Sequence, residues 1–151
     1  MPQSLADVVV HIIFSTKDRV PYLRRPEHRT GLEGYLVGAL ENLNSPSIKV
    51  GAVEDHIHIL CHLSRTISIA KLLEEIKKTS SAWIKTQDRA LEGFYWQAGY
   101  GAFSVSRSNV EQVKAYIENQ DQHHKRMTFQ EEFRLFLQRH GVEYDERYIW
   151  D

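Results

Sequence analysis

The spacing of apolar residues changes along the chain and marks out its elements. Residues 7–16, DVVVHIIFST, form a nearly continuous β-branched and aromatic run, which predicts a buried strand. Beyond the breakers Pro21 and Pro26, Leu32, Tyr35, Leu36, Ala39, Leu40 and Leu43 recur at helical spacing, predicting a helix over 27–43. Gly31, Gly34 and Gly38 weaken that helix, so it depends on close packing against a sheet. Asn44, Ser45 and Pro46 interrupt the pattern. Two short strands follow, 48–53 and 56–63, joined by Glu54-Asp55 as a tight hairpin. Ser68 opens a second helix reaching about Thr86, with Ile69, Leu72, Leu73, Ile76, Ser80, Trp83 and Ile84 on one stripe. Residues 94–106 read as a fourth strand interrupted by glycines. Ser108 is placed to cap a third helix over about 109–125. Thr128 and Glu131 have capping-box spacing for a last helix over 128–140, stopped by Gly141.

The order β-α-β-β-α-β followed by two helices predicts an α+β, ferredoxin-like fold. This is the RRM-like split βαβ plan, a four-stranded antiparallel sheet with two helices on one face, plus C-terminal helices. RNA-recognition modules share it, so the plan leaves function open. With 151 residues and no repeat, low-complexity tract or long linker, a single domain over 1–151 is expected.

Composition narrows the class. Hydrophobic residues at 42% and charged residues at 26% fit a soluble globular protein. No apolar run approaches the roughly 20 residues of a bilayer span, and the N-terminus lacks the basic start of a signal peptide, so a cytoplasmic location is expected. The lone Cys61 excludes an intramolecular disulfide and a cysteine-only metal site. A formal net charge of −1 does not by itself announce a nucleic-acid binder. Glu131, Glu132, Glu143, Asp145, Glu146 and Asp151 nevertheless crowd the C-terminal third, leaving the first 126 residues with a modest positive balance.

Two segments carry candidate chemistry. In His56-Ile57-His58 the imidazoles sit at i and i+2 of a strand, on one face and about 6.6 Å apart. Two rings so placed can converge on one divalent ion, although a half-exposed strand also explains the alternation. His62 continues the face, but Leu60 stands where a histidine-triad nucleotide hydrolase needs its third histidine. In VKAYIENQDQHHK, Tyr116 and Gln120 lie four apart, one above the other on a helix. An amide oxygen beside two imidazoles suits a hard divalent cation and leaves positions for phosphate oxygens near the tyrosine hydroxyl. A core-packed tyrosine and a solvated glutamine would give the same pattern. His123 and His124 are further candidate ligands, placed also where a helix C-terminus favours positive charge.

Taken together, E-D-H-I-H-I-L (54–60), W-Q-A-G-Y-G-A-F-S-V-S (96–106), Y-I-E-N-Q-x-x-H-H (116–124) and G-V-E-Y-D-E-R-Y-I-W-D (141–151) resemble the single-tyrosine HUH transposases, the TnpA-type enzymes of small insertion sequences. The resemblance runs from the F-S-T-K of residues 14–17 to residue 151. It implies that His56 and His58 bind a divalent metal (Mg2+ or Mn2+), that Gln120 completes the site, and that Tyr116 is the nucleophile. It also implies single-stranded DNA with hairpin ends as substrate, a 5′-phosphotyrosine intermediate, and a homodimer whose active sites are often shared between subunits. No nucleotide cofactor is implied. The reference pKa of tyrosine is about 10, and no general base stands out in the sequence.

Lys17 and Arg19 after the first strand, Lys77, Lys78, Ser80 and Lys85 on the second helix, and Arg107 and Lys114 beside the tyrosine helix are expected DNA contacts. Tyr95, Trp96, Tyr100 and Phe103 are candidates for stacking on unpaired bases or for packing in the core or a dimer interface. An HUH replication initiator or relaxase, and a hairpin-binding protein that no longer cuts, are the competing expectations.

Overall fold

A computed structural model describes residues 2–151, apart from the side chains of His123 and His124. The ligand expectation for those two histidines therefore lies outside the described residues. Strands β1 (Val9–Ser15), β2 (Ser47–Ala52), β3 (His56–His62) and β4 (Gly101–Val105) form one sheet in the order β2-β3-β1-β4, every pair antiparallel. With α1 (Pro26–Asn42) and α2 (Ile69–Lys85) this is the split βαβ arrangement.

Strand parity divides the core. Val10, Ile12, Phe14, Ile57, Ile59 and Cys61 turn to one face and pack with Leu32, Leu36, Leu40, Leu72, Leu73 and Ile76 of α1 and α2. Val9, His11, Ile13, His56, His58 and Leu60 alternate to the other face, and it too is covered. There α3 (Val110–Glu118) brings Ile117 against Val9 and Leu60, and α5 (Phe129–Arg139) brings Phe129, Phe133, Phe136 and Leu137 against Ile13 and Phe103. The half-exposed strand that would also explain the His56-Ile57-His58 alternation is not found: β3 is buried through His56–Cys61. The three-layer result follows from α5, whose aromatic stripe needs an apolar surface and finds the free face of the sheet.

Caps behave unevenly. Ser68 accepts from Lys71 N at 3.0 Å, and Thr128 and Glu131 form the expected capping box. Ser108 caps nothing: residues 107–109 turn as a 3-10 segment and α3 begins after Asn109, without a side-chain cap. The predicted third helix is also two pieces. At Asn119 (φ −95°, ψ 20°) α3 ends, and α4 (Gln120–Arg126) starts at the glutamine itself.

The fourth strand is shorter than 94–106 because residues 94–100 anchor the end of the sheet instead. Gln97 exchanges hydrogen bonds with the Ser15 backbone, at 2.8 Å to its side chain and 2.9 Å from its N–H. The Trp96 indole donates to Ser80 Oγ at 3.0 Å, and Phe94 and Trp96 pack edge to face at 4.7 Å. At Gly101 the backbone comes so close that a Cβ would lie 2.6 Å from Phe133. That close approach lets α5 sit down on β4.

Candidate active site

His56 opens β3 and His58 follows two residues later, so both rings point from the sheet toward α3–α5. His56 Nδ1–H donates to Asp55 Oδ1 at 2.7 Å, which turns Nε2 inward. His58 uses both nitrogens: Nδ1 meets His11 Nε2 at 2.7 Å, and Nε2 meets Glu132 Oε1 at 2.9 Å. The same Glu132 oxygen lies 3.2 Å from His56 Nε2. Gln120 Nε2 reaches His56 Nε2 at 3.1 Å and Glu132 Oε2 at 3.3 Å. Tyr116, one turn earlier, donates its hydroxyl to Glu132 Oε2 and sets its ring edge-on to His58, centroids 5.8 Å apart. All four expected site residues therefore meet within one chain, around a carboxylate that the sequence shows only as one of the acids crowding the C-terminal third.

Glu132 comes from α5, at the position its apolar stripe leaves between Phe129 and Phe136. It is 2% exposed, and a carboxylate that deep needs partners. Burial alone would push its carboxyl upward. Hydrogen bonds from His56 and His58, and their charge, more than offset this and hold it far below the usual carboxylate range. Burial pulls the other way on His56, but Asp55 and Glu132 raise it above the ordinary imidazole value. His11 is held well below that value, by burial first and by the neighbouring His58 second, and stays neutral. The Tyr116 phenol is driven upward by burial and then by the Glu132 charge, so in this arrangement it keeps its proton.

The donor set fits a divalent cation. Ligand atoms of His56, His58 and Glu132 lie within 4.8 Å of one another. Among the described residues Gln120 Oε1 is buried with no hydrogen-bond partner, an orphaned acceptor beside two imidazoles and a carboxylate. Turning that amide end for end would present the oxygen to the same centre. Two nitrogens, a carboxylate and an amide oxygen are all donors that a divalent cation accepts. The site is also closed: His56, His58, Gln120 and Glu132 are each at most 3% exposed.

The expected DNA contacts divide. Lys17 and Arg19 follow β1 at the end of the sheet where His56 begins β3, paired with Ser15. Arg107 sits at the opposite end, beyond β4, against Asp7 at 3.4 Å. Lys78 is exposed and pairs with Glu75, and Lys114 on α3 is half-buried. Ser80 is fully buried under Trp96 and cannot meet a phosphate, which corrects that expectation. Lys77 is also drawn inward. Its ammonium donates to the carbonyls of Gln97, Ala98 and Gly99 at 2.9, 3.1 and 2.7 Å, and burial lowers its pKa to about 8. Lys77→Met should cost about 1–3 kcal/mol by leaving three carbonyls without their donor. Lys78→Met should stay within about 0.5 kcal/mol, as surface changes do. Urea denaturation of both variants measures the contrast; equal stabilities would remove Lys77 from the fold's support. Of the aromatic candidates, Trp96 and Phe103 are core residues. Tyr95 and Tyr100 are exposed, with Lys85 4.5 Å over the Tyr95 ring and Lys77 5.6 Å from that of Tyr100.

Solved structures share this architecture. A protein from Deinococcus radiodurans R1 assigned as a transposase superposes with TM-score 0.62 at 22% identity, covering 80% of this chain and 95% of its own. A REP-associated tyrosine transposase bound to a REP hairpin gives TM-score 0.59 at 12% identity, covering 82% of this chain and 73% of its own. No curated protein sequence matches the chain. At those identities the two structures speak for the fold alone. The family is carried by the sequence: the model described as "Transposase IS200 like" matches residues 4–120, which include β1–β4, the histidine pair and the tyrosine turn through Gln120, and the chain belongs to that transposase family.

Proposed function

We propose that the protein cuts and rejoins single-stranded DNA at hairpin-bearing element ends, with Tyr116 as nucleophile and His56, His58 and Gln120, joined by Glu132, as the ligands of Mg2+ or Mn2+. The supporting observation is the convergence of Tyr116, Gln120 and both histidines on one carboxylate. When bound, such a cation supplies Lewis-acid stabilisation of the scissile phosphate and of the departing 3′ oxygen. Tyr116 Oη attacks phosphorus, the bond to the 3′ oxygen breaks, and the phenol proton passes to Glu132, already its acceptor. The 3′ oxygen takes a proton from water and leaves as a hydroxyl. The resulting 5′-phosphotyrosine ester conserves the bond, so an incoming 3′-OH can reverse the step without ATP. Exposed Lys17 and the half-buried Arg19, at the His56 end of the sheet, are the cations best placed for DNA phosphates.

Because the site is closed, the side chains covering it must part before a phosphate reaches Tyr116. That closure is the observation favouring the second reading, a hairpin-binding protein that no longer cuts. Incubation with hairpin-bearing single strands and Mn2+ should give a covalent protein–DNA band on a denaturing gel. Hairpin binding with no such band, across many sequences, would favour the second reading.

The proposal includes a homodimer joined along β4, an edge strand that pairs only with β1 among the described residues. Tyr116 packs edge-on to His58 of its own chain, so this reading completes each site within one subunit. Light scattering at micromolar concentration should report twice the 17.6 kDa chain mass; a stable monomer with full activity would remove the dimer.

A further inference from the structure

We infer that His11 is a positioning residue: it holds the His58 ring in the orientation and tautomer that offer Nε2 to a divalent cation. The inference rests on the metal reading given above. His11 lies in the middle of β1, where its neighbours Val10, Ile12 and Ile13 are apolar and buried. Leu60 is its direct partner across the β1–β3 ladder, and His58 sits one diagonal step away on the same face. There His11 Nε2 meets His58 Nδ1 at 2.7 Å, and the two rings stack with centroids 5.0 Å apart at 28°. Phe136 of α5 closes on His11 edge-on at 5.0 Å, so the ring is fixed from both sides.

The chemistry of imidazole gives this contact a direction. A His58 whose Nε2 lone pair is to bind a cation must carry its proton on Nδ1, and that proton needs an acceptor. His11 Nε2 is the atom at that place. In the arrangement described, His58 Nε2 faces the Glu132 carboxylate as a donor, and a cation there takes the place of that proton. With the cation bound, His58 Nδ1–H donates and His11 Nε2 accepts across one hydrogen bond. A neutral imidazole can fill either role; an aliphatic side chain can fill neither. Groups that orient a metal-bound histidine through its second nitrogen commonly set affinity by about 10–100-fold.

The test uses the full chain and Mn2+, titrated by calorimetry, with His11→Leu and His11→Gln compared to the parent and to His58→Ala. Leucine roughly fills the space and removes the acceptor; glutamine restores an oxygen near the place of Nε2. His11→Leu should weaken Mn2+ by about 10–100-fold, and His11→Gln should regain most of that loss. Wild-type affinity in His11→Leu, with His58→Ala clearly weakened, would overturn the positioning role and leave the metal reading standing. No Mn2+ binding by the parent chain would overturn the metal reading itself. A structural readout needs no variant: with saturating Mg2+, 15N NMR should show His58 protonated at Nδ1 and His11 bare at Nε2. A proton on His11 Nε2 under those conditions would overturn the inference even if both variants failed to fold.

Discussion

Tyr116→Phe is expected to abolish the covalent DNA adduct while fold and hairpin binding persist. The ring is held independently of its hydroxyl, edge-on to Phe136 at 5.7 Å and to His58 at 5.8 Å, and phenylalanine keeps both contacts. The hydrogen bond to Glu132 is lost, and that carboxylate retains His56, His58 and Gln120. Stability should therefore move by about 1 kcal/mol. Chemistry should fall by about 10^4-fold or more, as when a covalent nucleophile is removed from other enzymes. In the proposed reaction the ester joins the tyrosine to the 5′ phosphate, so a 3′-labelled strand should stay with the protein on a denaturing gel. An undiminished adduct in Tyr116→Phe would pass the role to another tyrosine, Tyr95 and Tyr100 being the exposed ones nearest the sheet.

Much of the site was legible because strand and helix periodicities are rigid rulers. Two histidines at i and i+2 must share a face, and a tyrosine and glutamine four apart must lie together even when, as here, the helix breaks at Asn119 between them. Glu132 was harder to see. It lies among six acidic residues in the C-terminal third, and a carboxylate on a helix is ordinarily solvated. A signal existed: Phe129, Glu132, Phe133, Phe136 and Leu137 form one stripe, so a charge at 132 faces inward and requires a partner. The same holds for His11, a polar interruption of an apolar strand whose partner depends on the register between β1 and β3. Register and layer order are long-range facts. They also explain why 94–100 failed as strand: Phe94 and Trp96 fill the gap between α2 and the sheet, a three-dimensional demand with no period of its own. Ser80 and Lys77 misled for the complementary reason, since helical position says nothing of the loop that later folds over them.

Chelation by EDTA should abolish cleavage, with a loss of at least about 10^3-fold, and His56→Ala or His58→Ala should match it. The two arms differ physically, which is the reason to run both. Removing His58 strips Glu132 and His11 of a buried partner and should cost about 3–5 kcal/mol of stability, as breaking a buried charged pair does. An inactive His58→Ala could thus be a poorly folded one, and a thermal melt must accompany it. EDTA removes no side chain, and the hydrogen bonds among His56, His58, Glu132 and Gln120 keep the site assembled without an ion. Hairpin affinity in EDTA should then stay within a few-fold, because this site handles the scissile phosphate alone. Restored cleavage on adding excess Mn2+ closes the comparison for the parent chain. Cleavage that continues undiminished in EDTA would take the cation out of the reaction and leave Glu132, already hydrogen-bonded to Tyr116, as the group on which phenol activation depends.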